Sequence, residues 1–334
     1  MHQDAHRLPR TVQPLHYELT LRPDLDGYTF SGEARIGVRV MEPVTEVVLN
    51  AVELDVLSAE LVGAGHTPNL PATAVYEQEE ERLRLVLPAP ADAGDWTLRL
   101  DFAGRMNEKL RGFYRSTFRD LDGRERAIGT TQFEATDARR AFPCWDEPDR
   151  KATFALTLEI DGGLTAVSNT AVVSSACLPG GRQRIEFART IPMSTYLVAF
   201  VVGPLEATAP VDVDGVPLRI VHVPGKGGLT AFAAEAGAHA LRFFAEWFAI
   251  GYPGDKLDHV AIPDFAFGAM ENLGCVTYRE SLLLIDPAAA TQIELERVAE
   301  VLAHETAHMW FGDLVTMGWW NGLWLNEAFA TFME

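Results

Sequence analysis

His304 and His308 stand four residues apart in Val301-Leu-Ala-His-Glu-Thr-Ala-His-Met-Trp310. On an α-helix four residues amount to about 40° of net rotation and one turn of rise, so both imidazoles point the same way and can share one ion. Glu305, beside the first histidine, swings off that direction yet stays close enough to take a proton from a water at the site. Two histidines leave zinc short of the three protein ligands of a typical catalytic centre. Glu327 lies nineteen residues after His308, beyond a Gly/Trp/Asn-rich turn at 318–322 and within an apolar, helix-forming run. A second helix packed antiparallel beside the first would bring it to the metal. The expectation is one Zn2+ per chain on His304, His308 and Glu327, with Glu305 as general base. Surface i,i+4 pairs are the plain alternative, and they leave the downstream carboxylate unexplained.

The elements that must carry these residues can be read along the chain. Tyr17, Leu19 and Leu21 alternate with polar neighbours, as do Ala34, Ile36, Val38 and Val40, with Pro23-Asp-Leu-Asp-Gly27 supplying turn chemistry between them. The same period of two returns at Leu83–Leu87, Trp96–Phe102 and Phe154–Ile160. Residues 1–205 are therefore expected to form an all-β domain, a sandwich or an open saddle-like sheet. The character changes near Gly203-Pro-Leu-Glu206. From Leu229 to Ala249 the spacing predicts an amphipathic helix with Phe232, Ala236, Ala240, Phe243 and Trp247 on its buried stripe. Leu257–Ile262 reads as a strand and Val276–Ile285 as extended chain broken at Tyr278-Arg-Glu-Ser281. Thr291 with Glu294 makes a capping box that opens the histidine helix. Residues 206–334 are expected to be a mixed α/β catalytic domain.

At 334 residues two cores are the natural arrangement. Hydrophobic residues at 48% and charged residues at 22% are those of a globular chain, and a net charge of −19 excludes the usual electrostatics of nucleic-acid binding. The acidic run Glu77–Glu81 reads as a solvated hairpin end. Cys144, Cys177 and Cys275 are widely spaced and form no Cys-x-x-Cys pair, which points to a reducing compartment. The opening Met1-His-Gln-Asp-Ala-His-Arg lacks the apolar core of a signal peptide, and no apolar run reaches membrane-span length. A cytoplasmic protein is expected.

Two further stretches carry chemistry-bearing residues. In Phe265-Ala-Phe-Gly-Ala-Met-Glu-Asn272, Gly268 permits close backbone approach, the flanking strand can pair with an extended peptide, and Glu271 adds a carboxylate. Thr131-Gln-Phe-Glu-Ala-Thr-Asp137 is expected to hold Gln132, Glu134 and Asp137 in a loop that leads into Arg140-Ala-Phe-Pro-Cys-Trp-Asp-Glu-Pro148.

Together with Gly112-Phe-Tyr-Arg-Ser116, these pieces resemble the aminopeptidase N family of zinc metallopeptidases, the gluzincin aminopeptidases, along most of the chain. The resemblance implies a saddle-like β domain followed by a thermolysin-like catalytic domain. It implies that His304, His308 and Glu327 hold zinc, that Glu305 activates water, and that Glu271 and Glu134 grip the free α-ammonium of a peptide. Gly268 and Ala269 would offer backbone groups near the scissile bond, and Met270 and Asn272 complete the same substrate-binding stretch. Carboxylates facing a charged amine would let an exopeptidase count from the chain end through charge-assisted hydrogen bonds.

The sequence departs from the family at Asn321-Gly322 and Ala328, which bear on packing around the ligand helix. The family's transition-state tyrosine and helical C-terminal domain lie beyond Glu334, so the expectation is a truncated, weakly active or inactive chain. Two other readings remain: a non-catalytic zinc- and peptide-binding homologue, and a bifunctional enzyme like leukotriene A4 hydrolase. Intact ligands and base disfavour the first, and the Gln-Phe-Glu and Gly-Ala-Met-Glu-Asn forms disfavour the second. Oligomeric state, physiological substrate and preferred N-terminal residue are not legible.

Overall fold

Alternating apolar side chains need a second layer to cover them, and the strands of the first two hundred residues supply it to one another. The computed structural model describes residues 6–334 apart from 64, 66 and 67; Met1–Ala5, and with them most of the N-terminal signal reading, lie outside the described residues. Val12–Asp24 pairs antiparallel with Thr29–Val40, with Tyr17 opposite Ile36. Both of these side chains are fully buried. The turn between them is closed by Asp24, whose Oδ1 accepts from the backbone N–H of Asp26 and Gly27 at 3.1 and 2.9 Å.

This hairpin is the centre of an eight-stranded sheet. Gly94–Arg105, Leu54–Gly63 and Leu70–Pro71 extend it on one side, and Thr153–Asp161, Arg182–Phe187 and Val172–Leu178 on the other. Thr153–Asp161 pairs parallel with Val12–Asp24, so the sheet is mixed. Four strands, Thr165–Ser168, Phe200–Gly203, Glu125–Gln132 and Gly112–Arg119, make a smaller sheet, and Val44–Asn50, Arg82–Ala91 and Thr73–Glu77 make a third. Gln78–Glu81 is the turn of the last of these hairpins. Phe142, Cys144 and Trp145 are fully buried between these layers, so the Arg140–Pro148 stretch is core and not a surface loop.

The chain after Glu206 builds a sheet of its own, in the order Glu206–Ala207, Val216–His222, Leu257–Ile262, Cys275–Arg279 and Ala269–Met270, with Val211–Val213 beside Val216–His222. Val216–His222, Leu257–Ile262 and Cys275–Arg279 run parallel, and Ala269–Met270 returns antiparallel along the edge. The break expected at Tyr278 falls later: Tyr278 is a buried strand residue and the chain turns at Glu280–Leu282.

Helix α1 spans Ala231–Phe248, α2 Gln292–Ala307 and α3 Trp324–Met333. The architecture is thus a strand-rich N-terminal region followed by a mixed segment that holds the helices. The expected stripe on α1 is rotated. Phe243 and Trp247 are 41% and 65% exposed, whereas Ala233, Gly237, Ala240, Leu241 and Phe244 face the sheet. Small residues win that face because the helix sits close: a Cβ on Gly237 would lie 2.9 Å from His259 Nε2. The capping box of α2 is present, Thr291 N donating to Glu294 Oε2 at 2.8 Å and Glu294 N donating to Thr291 Oγ1 at 3.4 Å.

Strand-rich region and helices meet at several buried points. Lys256, 4% exposed, donates to Ser168 O and Gly274 O and pairs with Asp258 at 2.8 Å. Gly274 has φ 71°, and a Cβ there would sit 2.0 Å from Asn169 O. The loop from α2 to α3 is held by Lys151 Nζ donating to Asp313 O at 2.9 Å and by the Arg7 guanidinium 4.1 Å over the Trp319 ring. Tyr196 packs edge-on against Trp320 at 5.4 Å and meets Asn326 Nδ2 at 3.3 Å through its hydroxyl. These contacts fix where α3 lies, and α3 carries Glu327.

Candidate active site

The two candidate histidine ligands owe their direction to α2, and their tautomers to two further contacts. His308 Nδ1 lies 2.9 Å from Phe311 O. A carbonyl only accepts, so Nδ1 carries the proton and the neutral ring turns the lone pair of Nε2 inward. His304 Nδ1 lies 3.0 Å from Glu334 Oε2, which likewise accepts. The two Nε2 atoms are 3.1 Å apart. Glu327 reaches the same point from α3, its carboxylate oxygens 3.4 Å from His304 Nε2 and 3.6 Å from His308 Nε2.

Burial lowers the His308 pKa to about 4. Burial also opposes protonation of His304, but Glu327 and Glu334 outweigh it and hold that ring above its ordinary value. For Glu327, burial raises the pKa while the two imidazoles pull it below the usual carboxylate range. The cluster therefore wants positive charge at its centre. Two imidazole nitrogens and a carboxylate are the donor set that suits Zn2+, and the residues present fit that ion.

A cleft of about 590 Å³ opens over this cluster. Glu134 and Ala135 line it from the strand-rich region, Gly268, Ala269 and Glu271 from the edge strand, and Glu305 from α2. Oxygens of Glu134, Glu271 and Glu327 lie within 4.8 Å of one another. Glu271 is 3% exposed, and its Oε1 is buried without a hydrogen-bond partner. Burial, then the nearby Glu327 carboxylate, raises its pKa to about 7. Burial, then Glu271 and Glu327, raises Glu134 to about 9. Burial, with Glu271 and Glu327 behind it, pushes Glu305 well above its ordinary value. Mutual elevation of this kind follows from carboxylates packed together and buried without a counter-charge.

Glu271, Glu305 and His308 also converge within 4.8 Å, as an alternative ligand group. It offers one imidazole instead of two, which favours His304, His308 and Glu327 as the metal set.

Met270 and Asn272 stand apart from the cleft. Both are buried, Met270 Sδ receiving Gln132 Nε2 at 3.3 Å and Asn272 Nδ2 donating to Thr277 Oγ1 at 3.2 Å, so they brace the strand around Glu271. Gln132 ends the strand Glu125–Gln132 instead of lying in a loop, and Asp137 pairs with Arg140 at 2.6 Å, away from the cleft. The Gly268 carbonyl is taken by Arg279 N at 2.9 Å.

The model for the Peptidase M1 N-terminal domain matches residues 13–197, and that for the Peptidase family M1 domain matches residues 232–334. The chain belongs to peptidase family M1. This M1 chain is 43% identical over 329 residues to a puromycin-sensitive aminopeptidase of Caenorhabditis elegans, covering 98% of the chain and 35% of that protein. It is 45% identical over 328 residues to aminopeptidase M1-C of Oryza sativa subsp. japonica, covering 98% of the chain and 37% of the relative. With the mitochondrial aminopeptidase 2 of Saccharomyces cerevisiae it shares 43% identity over 332 residues, 98% of the chain and 34% of the relative. The M1 chain thus spans a little over a third of the length of these curated relatives. By family it belongs with the hydrolases. No helix among the described residues is long and apolar enough to cross a membrane.

One site residue escaped the sequence reading. Glu334 follows Glu327 by seven residues, close to two full turns, so both carboxylates lie on one face of the ligand helix. That spacing was the available signal; what hid it was the absence of any sequence cue that His304 needs an acceptor on Nδ1. Outer partners of this kind orient the ligand ring and raise its basicity. Glu334→Ala is expected to raise the zinc Kd by about 10- to 100-fold. Competition with a chromophoric chelator measures it, and an unchanged Kd removes Glu334 from the metal site.

Proposed function

We propose that the protein carrying these residues is a zinc-dependent aminopeptidase that releases single residues from peptides with a free N-terminus. The observation that carries this reading is the convergence of Glu134, Glu271 and Glu327 oxygens within 4.8 Å beside a two-histidine cluster. His304, His308 and Glu327 hold one Zn2+, which when bound supplies a Lewis acid for carbonyl polarisation and for lowering the pKa of water. Glu305 takes the proton from the attacking water and delivers it to the leaving amine. Glu134 and Glu271 receive the substrate's α-ammonium, which neutralises their repulsion and returns both to the carboxylate form. The edge strand Ala269–Met270 gives an extended peptide a backbone to align with.

The names of the relatives support the aminopeptidase class, and the free cysteines support a cytoplasmic location. The boundary between the two domains is proposed at 205/206, since among the described residues no sheet combines strands from both sides of it. The cleft then lies at their junction, with Glu134 contributed by the first domain.

The test is amine dependence. Glu271→Gln keeps the volume of the side chain and removes its charge. It is expected to weaken binding of a free-amine dipeptide by about tenfold or more, the value of a charge-assisted hydrogen bond, and to leave the N-acetyl form unchanged. Isothermal calorimetry with both ligands decides; equal affinities of wild type and variant for the free amine would sink the assignment.

A further inference from the structure

Gly112-Phe-Tyr-Arg-Ser116 is shared with the family resemblance, yet none of its side chains lines the cleft, and the proposed reaction uses none of them. The stretch begins Gly112–Arg119, which pairs antiparallel with Glu125–Gln132, with Tyr114 opposite Thr130 and Gly112 opposite Gln132. Glu134 follows two residues after that hairpin strand ends. Tyr114 and Ser116 lie on one face of their strand and are both fully buried.

Their hydroxyls reach one residue in the second half of the chain. Tyr114 Oη donates to Asp264 O at 3.0 Å, and Asp264 N donates to Ser116 Oγ at 2.8 Å. Thr117 adds two bonds from its N and Oγ1 to Asp264 Oδ2, at 2.9 and 3.2 Å. Asp264 opens the loop that runs into Ala269–Met270 and Glu271. From the other side that loop is tied to Arg279, whose Nη2 donates to Ala266 O at 3.0 Å and whose N donates to Gly268 O at 2.9 Å. Gln132 reaches Met270 Sδ one residue short of Glu271.

Other side chains do little to hold Glu271: Oε1 has no hydrogen-bond partner, the carboxylate is bonded by its own backbone N–H, and the neighbouring carboxylates of Glu134 and Glu327 repel it. Its position must therefore come from the backbone. We propose that Tyr114 and Ser116 are positioning residues for amine recognition: they fasten the Asp264 loop to the hairpin that carries Glu134, so that Glu134 and Glu271 are set as a single unit across the junction. The spacing of two carboxylates decides whether one ammonium can bridge them, and small misplacements of such groups are costly. This rests on the reading of Glu134 and Glu271 as the amine anchors.

The test uses the zinc-loaded chain with Tyr114→Phe and Ser116→Ala combined, alone and in a Glu271→Gln background. Zinc content and the affinities of leucylglycine and N-acetyl-leucylglycine are measured by calorimetry. The double variant is expected to bind leucylglycine about tenfold more weakly, with the N-acetyl form and zinc unchanged. In the Glu271→Gln background the same pair should add little further loss. Equal loss for both ligands, an undiminished loss in that background, or no loss overturns the proposal. Should Glu271→Gln alone leave the preference for the free amine intact, the anchor reading fails and this inference with it. Loss of preference there without an effect of the hydroxyl pair defeats only this inference. If the double variant does not fold, Tyr114→Phe alone, which keeps the ring and removes the bond to Asp264 O, is held to the same outcomes.

Discussion

Replacing Glu305 with glutamine is expected to reduce kcat by about 10²- to 10⁴-fold, the range that general acid–base catalysis supplies, while zinc stays at one per chain. Glutamine fills the same space and still hydrogen-bonds, but it cannot take a proton. Glu305 is 6% exposed, and burial with the carboxylates of Glu271 and Glu327 raises its proton affinity, which suits a base that must remove a proton from water and later give it up. The same substitution separates the two ligand groups that converge here. If Glu305 were a ligand with Glu271 and His308, the variant would lose metal together with activity. Metal analysis and a steady-state assay with an aminoacyl anilide on the same sample decide between them. Turnover within a few-fold of wild type would remove Glu305 as the base.

Replacing Glu327 with alanine is expected to cost zinc itself, by more than the roughly 10- to 100-fold that follows loss of an outer-sphere partner. The physical reason is local. His304 and His308 bring two neutral donors to within 3.1 Å of each other, and Glu327 is the carboxylate that reaches both nitrogens. Without it the set falls to two protein ligands, fewer than any ordinary zinc site keeps. A readout independent of turnover is available. Zinc at a hundredfold excess over Kd stabilises the fold that binds it by about 2.7 kcal/mol, so wild type should melt at a higher temperature with zinc than with chelator. The alanine variant should melt at one temperature in both conditions. Wild-type zinc content in the variant would overturn the ligand assignment.

The candidate ligands were legible as a group because their chemistry sits in local spacing. A four-residue interval on a helix aligns two imidazoles whatever the rest of the fold does, and the capping box at Thr291 and Glu294 marks where that helix starts. Strands were legible for the same reason, since alternation at Tyr17–Leu21 and Ala34–Val40 is the local signature of a half-buried sheet. The face of α1 was not. Phe243 and Trp247 are exposed although they are large and apolar, while Ala233 and Gly237 face the core beside Phe244, because helix and sheet approach closely at Gly237 and no local pattern encodes that distance.

Sequence by itself thus determined the composition of the site: two histidines, the adjacent glutamate, the later carboxylate and the stretch around Glu271. Tertiary structure alone decided their arrangement. It brought Glu134 from the strand-rich region to within 4.8 Å of Glu271 and Glu327, turned Met270 and Asn272 inward as braces, and set Glu334 behind His304. The physical reason is that groups distant in the chain, such as Glu134 and Glu271 or Gln132 and Met270, meet only when the layers pack. Until then nothing in the chain records which carboxylate will lack a partner and await a cation.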